Sequence, residues 1–487
     1  MKDLILLNRV NGRIPYLPNY ISNHAVAVYM IALITCFILY INYSMQWYWY
    51  VFGLVEVLGF FYYSNTLTKK WAVSSSKLFV KRLFWTAFSV RLLVMLFLYW
   101  FHNEMTGQPF MFAAADAIEY HIEGAWMAET IRNGEFDIYW DYKFVQHNGV
   151  SDAGYPIYLG LMCLISGDSI LFPRIIKCIL GAFSCVLLYK LGTRNFGESI
   201  GRIAAILMML SPHFMIYGGM HLKETEMIFL MLLFLERSDY MIRNRSFNFR
   251  SISVVVVLIA LLFTFRTVLG LTALFSVALT LLLSSKRVIS MGKRLVFLIV
   301  FGLVSLYFVG GRIASEVEKV WEQRDTNQSN RHSEIVRTQS LAKYASAAVF
   351  APMIFTIPFP TMVETPGQET SRMLHGAMVV KNIMSFFCIL AIIILVLPIF
   401  KIPDSWRNHV LIGSFLIAYL AILVFSAFAH ADRFHLVALP LELLFAAYGV
   451  SFLNNKKIRS LYTYWLVLMF IAFVAWNWYK LSGRGLI

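Results

Sequence analysis

Long apolar runs, separated by short polar and basic stretches, set the pattern of this chain. A helix that crosses a bilayer needs roughly 20 apolar residues, within a range of about 17–25. Runs of this kind, some a little shorter, cover 25–43, 46–64, 84–101, 170–190, 200–217, 221–236, 251–264, 267–284, 295–310, 378–400, 408–428, 433–452 and 461–479. They predict an all-α protein, a polytopic transmembrane helical bundle of about thirteen spans, with 251–264 and 267–284 also readable as one long kinked segment. No internal repeat, low-complexity tract or compositional break separates a soluble part, so 1–487 reads as a single integral membrane domain.

Loop charge predicts orientation, because lysine and arginine collect on the cytoplasmic side. Loop 65–83 carries Lys69, Lys70, Lys77, Lys81 and Arg82 and no acid. Basic residues also gather in 190–202, 237–250, 285–294, 401–407 and 454–459. All of these can be cytoplasmic on one condition: the apolar stretch 155–166, about half the length a span needs, lies along the outer surface. Two large segments then face outward. Loop 102–169 is a first periplasmic loop with short amphipathic helices, holding nine acids and two bases between 102 and 154. Segment 311–377 is a second, polar at first and then apolar and proline-marked. Between them the tight hairpin Met220–Glu226 also faces outward.

Composition strengthens the membrane reading. Hydrophobic residues make up 59% and charged residues 14%, with a mean hydropathy of +0.66, against roughly 45–50% and 25% in soluble domains. The net charge of +15 would suggest nucleic acid in a soluble protein. Here the basic clusters lie between apolar runs, so the expected partners are membrane lipids and not nucleic acid. Cys36, Cys163, Cys178, Cys185 and Cys388 all sit in apolar stretches without metal-ligand spacing, and read as small apolar residues. The first residues lack the apolar core and cleavage site of a signal peptide, so the first span is expected to direct insertion.

Several charged residues at the outward side could carry chemistry. Asp116 follows a span, and Glu119, Tyr120 and Glu123 follow it at helical spacing. A carboxylate at the membrane boundary can act as a base toward a hydroxyl; Asp116 can equally be a helix N-cap with Glu119 completing a capping box. Lys223, Glu224 and Glu226 open a span after the breaks at Ser211-Pro212 and Gly218-Gly219. Charges there suggest function, while acids at a helix N-terminus also suit its dipole. Arg266, Arg372 and Arg433 lie on the side where arginine is disfavoured. Each could bind phosphate oxygens in a bidentate manner, or pair with a nearby acid such as Asp432, or snorkel to headgroups. Glu56 reads as a span edge, and Arg91 as a residue snorkelling to the cytoplasmic side.

The stretch Tyr155–Leu235 resembles the GT-C superfamily of membrane glycosyltransferases, in particular protein O-mannosyltransferases and lipid A aminoarabinose transferases. Tyr155-Pro156 opens an amphipathic segment, followed by Gly167-Asp168-Ser169, Arg174 in a long span, Phe196-Gly197, Ser211-Pro212 and an acid in the next outer loop. Asp116 with Tyr120 resembles the first-loop catalytic aspartate of that superfamily, and Arg433 before Leu439-Pro440 a late basic position. The resemblance implies a GT-C helical bundle in a bacterial-type plasma membrane, with its active site on the periplasmic side. It implies transfer of a sugar from a polyprenyl-phosphate-linked donor to a glycan, lipid or protein acceptor by one inverting displacement. Asp116 would be the general base. Glu224, with Glu226 in reserve, would be the second acid. Lys223, Arg266 and Arg433, with Arg372 as a further candidate, would hold the donor phosphate. The Asp-Glu pair usual in the first loop is Asp116-Ala117 here, so Glu119 is a candidate companion acid. A divalent cation stays an open possibility. An O-antigen polymerase or ligase is an alternative enzyme, and a lipid-linked oligosaccharide flippase or transporter an alternative of another class.

Overall fold

The computed structural model describes residues 14–44, 47–111, 115–146, 152–283, 362–363, 392, 408–425, 432–482 and 486. The described chain is helical: α1 Asn19–Leu39, α2 Trp47–Trp71, α3 Ser76–Thr106, α4 Ala115–Arg132, α5 Phe136–Trp140, α6 Gly154–Ser166, α7 Leu171–Phe196 and α8 Glu198–Leu210. It continues with α9 Pro212–Gly219, α10 Glu224–Arg243, α11 Phe249–Phe265, α12 Thr267–Leu283, α13 Val410–Phe425, α14 Asp432–His435, α15 Leu439–Val450 and α16 Lys456–Ser482. No strand is present among the described residues; Ser44 and Val363 form an isolated bridge.

Among the described residues four segments are long and apolar enough to cross a membrane: Asn19–Leu39, Ser76–Glu104, Leu171–Phe196 and Lys456–Tyr479. The outward faces of α1, α3 and α16 stay apolar, with Ile34, Ile38, Leu93, Trp100, Val467 and Ile471 exposed. Such a surface suits lipid and would be an aggregation liability in water. If α8 and α9 count as one broken span, the described residues hold five. α8 and α9 are separated by a 49° bend where Pro212 starts a new helix. Proline removes an amide donor and crowds the preceding turn, so the run 200–217 cannot continue straight. The runs 251–264 and 267–284 become two helices that part at an extended Arg266 and pack on each other, with Phe263 against Gly270. The expected spans 295–310 and 378–400 lie outside the described residues, apart from residue 392.

α7 is the central element, packed against α3, α8 and α10. α8 approaches it closely because Gly192 and Gly201 meet; a Cβ on Gly192 would come within 2.9 Å of the Gly201 Cα. Small residues let helices approach in this way without a solvent-driven hydrophobic force. α15 packs on α8 and α7, and is buried along its whole length. α16 returns to the chain start against α1, where the Tyr462 hydroxyl donates to the Ile21 carbonyl at 3.2 Å.

The loop 102–169 contains α4, α5, a π-turn over Asp141–Gln146, and α6. α4 packs on α6, and α6 is 13 residues long, too short to cross a bilayer. Two expectations fail within the bundle. Glu56 lies inside α2, not at its edge. Arg91 does not snorkel. It is buried, lies against Gly181, and donates to the carbonyls of Ala87 at 3.3 Å and Met208 at 3.4 Å. The missing side chain at Gly181 makes the room that keeps this guanidinium inside.

Candidate functional site

The charged cluster gathers where α4 begins, where α9 turns into α10, where α11 gives way to α12, and on the single turn of α14. α4 buries Ala117, Gly124, Met127 and Ala128 against the body of the protein. Small residues here bring the helix close to α6, as a Cβ on Gly124 would press on Leu159 at 2.7 Å. This docking fixes Asp116 in the first helical turn. Its side chain is not an N-cap: Arg433 donates from Nη1 to Asp116 Oδ2 at 2.5 Å, across more than 300 residues of sequence.

Lys223 sits at the N-terminus of α10 and is buried. Its ammonium forms an ion pair with Asp152 and lies 5.3 Å from the centre of the Tyr120 ring. Asp152 is half exposed and has a φ of 68°, the left-handed region. Glu224 is buried beside Lys223, and its Oε2 accepts no hydrogen bond. Its charge acts on both Arg433 and Arg266. The Arg266 guanidinium lies 4.0 Å from the centre of the Phe434 ring, and its Nη1 has no hydrogen-bond partner. Arg433 lies 4.9 Å from the same ring. Tyr419 of α13 completes the wall and donates to the Phe434 carbonyl at 2.8 Å.

Burial pushes the Lys223 ammonium down to about 7; Arg266 and Arg433 push the same way, against Glu224 and Asp116. Burial also works against the Arg433 cation, yet Glu224 and the Asp116 hydrogen bond outweigh it and raise the guanidinium above its usual value. The Tyr120 phenol is raised by burial and by the nearby charges of Glu224 and Asp116. The phenol stays protonated, able to donate one hydrogen bond and to accept others.

Beneath the hairpin lies a second polar layer. Lys177, buried in the second turn of α7, donates from Nζ to the carbonyls of Met220 at 3.0 Å and of Leu222. It approaches the Tyr155 hydroxyl at 3.4 Å and Glu226 Oε2 at 3.5 Å. At that separation, and with neither Glu226 oxygen hydrogen-bonded, the last contact is a charge pairing only. His221 is wedged between Phe110, His121 and Tyr155, with ring centres 5.5–6.3 Å apart. Burial, and the charges of Lys177 and Arg174, hold its imidazole neutral. Lys177 thus ties α7 to the turn that presents Lys223 and Glu224.

Six residues expected from sequence come together here: Asp116, Tyr120, Lys223, Glu224, Arg266 and Arg433. Glu119 does not join them. It is exposed on α4, because the buried stripe of that helix runs through Ala117 and Gly124. Glu123 pairs with Lys143 at 2.8 Å. Glu226 turns away from the cluster toward Lys177. Arg372 lies outside the described residues. Asp152 and Lys177 were not anticipated. A lysine in the middle of the apolar run 170–190 is the signal that could have flagged Lys177; nothing local marks Asp152.

Chemically, the arrangement gathers three cations and three carboxylates into one basket. Two half-exposed carboxylates, Asp116 and Asp152, each neutralise one cation, and Arg266 keeps an open donor. A ligand phosphate could take over these donors, because charge-assisted bonds from guanidinium and ammonium favour phosphate oxygens. Among the described residues no group of three or more His, Cys, Asp or Glu side chains is arranged to hold a metal ion. Compared with protein-family models and with curated sequences, the chain matches none.

Proposed function

We propose that the protein is a membrane glycosyltransferase that moves a sugar from a polyprenyl-phosphate-linked donor to an acceptor of the cell envelope, at the non-cytoplasmic face of a bacterial-type plasma membrane. The observation that carries this reading is the Asp116–Arg433 ion pair beside Lys223 and Arg266. It sets a half-exposed carboxylate among cations that three other parts of the chain deliver.

In this reading the donor phosphate draws Arg433, Lys223 and Arg266 to its oxygens. Asp116 loses its partner to the phosphate and is left facing the acceptor hydroxyl. The acceptor oxygen attacks the anomeric carbon as Asp116 takes its proton. The bond from that carbon to the phosphate oxygen breaks, and its electron pair stays on the phosphate. Charge gathers on the leaving group, where preorganised cations stabilise the transition state more than the ground state. Attack opposite the leaving group inverts the anomeric centre. Glu224, buried between Arg266 and Arg433, holds both cations in place before the donor arrives.

The test is transfer of a radiolabelled sugar from a polyprenyl-phosphate donor by the purified protein in lipid nanodiscs, with Asp116→Asn as the control. Label in a new glycosidic bond, lost in the variant, supports the reading. Near-normal turnover by Asp116→Asn rejects the base. Movement of labelled lipid across a liposome bilayer without a new bond rejects the transferase altogether.

A further inference from the structure

We propose that Asp152 is a positioning residue that keeps the Lys223 side chain charged and directed into the phosphate basket, an inference that rests on the donor-phosphate role given above. Four charged groups act on Lys223 besides Asp152. Arg266, from the break between α11 and α12, and Arg433, from α14, repel its proton. Glu224 next in sequence and Asp116 from α4 attract it. The Tyr120 ring of α4 lies against it, and behind the turn Lys177 and Glu226 face each other across α7 and α10. Two of these carboxylates are committed elsewhere. Asp116 is bonded to Arg433, and Glu224 sits in the field of both guanidiniums. Among the described residues Asp152 is the one acid in direct ion pair with Lys223.

The backbone supports the assignment. A non-glycine residue at positive φ is uncommon, although aspartate tolerates it better than most. Such outliers persist where the surroundings enforce them, and they cluster at functional sites. Here the left-handed turn at Asp152, three residues before Tyr155-Pro156, brings an exposed loop carboxylate onto a buried ammonium. With two guanidiniums near and water largely excluded, Lys223 titrates close to neutrality. The lysine binds phosphate below that point and loses its charge as pH rises through it. Removing Asp152 takes away an attraction for the proton, so the loss moves to lower pH.

The experiment measures binding of sugar-free polyprenyl phosphate to full-length protein in nanodiscs from pH 6 to 9. It compares wild type, Asp152→Asn, Lys223→Arg and the double variant. Wild-type affinity is expected to fall as pH passes about 7. In Asp152→Asn the fall moves down by about one pH unit, giving about fivefold weaker binding at pH 7 and close to tenfold at higher pH. Arginine stays charged throughout this range, so Lys223→Arg shows no such fall, and adding Asp152→Asn changes its affinity by less than about twofold. An unshifted fall in Asp152→Asn, or an equal loss in the Lys223→Arg background, overturns the inference. If wild type binds no polyprenyl phosphate, the phosphate reading fails while the Asp152–Lys223 coupling remains measurable. The rate of Lys223 acylation by a small activated ester, read by peptide mass spectrometry at pH 7, rises in Asp152→Asn if the pair holds the proton. An unchanged rate overturns it.

Discussion

The two ends of α10 carry similar numbers of charges and use them in opposite ways. At its C-terminal end Arg194 reaches Glu236 at 2.6 Å and Asp239 at 3.0 Å. Arg243 pairs with Asp239 at 2.8 Å and donates to Asn195 at 2.6 Å. Nearby, Arg202 bonds Glu198 at 2.5 Å and the carbonyls of Trp71 at 2.6 Å and Ser74 at 2.7 Å. Acids and bases there are matched, and spare donors go to backbone oxygens. At the N-terminal end Glu224 and Arg266 keep open hydrogen-bonding atoms although both are buried. Buried polar atoms are normally satisfied, because leaving one unmade costs about 1–3 kcal/mol. The charged groups of the C-terminal end are saturated by one another and by backbone oxygens, whereas those of the N-terminal end keep an open donor and an open acceptor.

Breaking the unsaturated end should cost most. Asp116→Asn removes the proposed base and is expected to lower kcat by about a thousandfold, with membrane insertion and donor binding retained; single-turnover assays in nanodiscs measure both. Next in size is Arg433→Ala. Loss of a charge-assisted phosphate bond, about 1.5–3 kcal/mol, should raise the donor KM by about 10–100-fold and the acceptor KM far less. Equal changes in both constants would remove the phosphate role. The saturated end supplies the contrast. Arg194→Ala should lower the thermal unfolding midpoint by about 2–4 °C and leave both Michaelis constants of the folded protein unchanged. A kinetic effect as large as that of Arg433→Ala would erase the distinction between the ends. The smallest change is expected from Glu119→Gln, less than about twofold in any constant, since the side chain is exposed and away from the basket. A larger loss would return Glu119 to the role of companion acid that the family resemblance suggested for it.

The helical, lipid-facing character of the chain was legible because a span announces itself by length and apolarity alone, as at 25–43, 84–101, 170–190 and 461–479. Asp116 was legible for a related reason: a charge directly after a span must lie near the boundary. Its partner was not. Arg433 is distant in sequence, and only the tertiary structure brings it to Asp116. Glu119 misled because helical spacing says which residues share a face but not which face is buried; Ala117 and Gly124 settle that by letting α6 approach. Lys177 was passed over because its partners are carbonyls of Met220 and Leu222, which carry no side-chain signature. Asp152 depends on one left-handed residue in a loop, a feature that no periodicity encodes.

The Phe434 phenyl group is in contact with two guanidiniums at once, at 4.0 Å from Arg266 and 4.9 Å from Arg433. The negative face of an aromatic quadrupole attracts cations without accepting a proton or bonding irreversibly to them. One hydrocarbon ring can therefore act as a spacer between like charges, setting the gauge of the pair while leaving their polar edges available. Replacing it by leucine would keep most of the volume and lose the gauge.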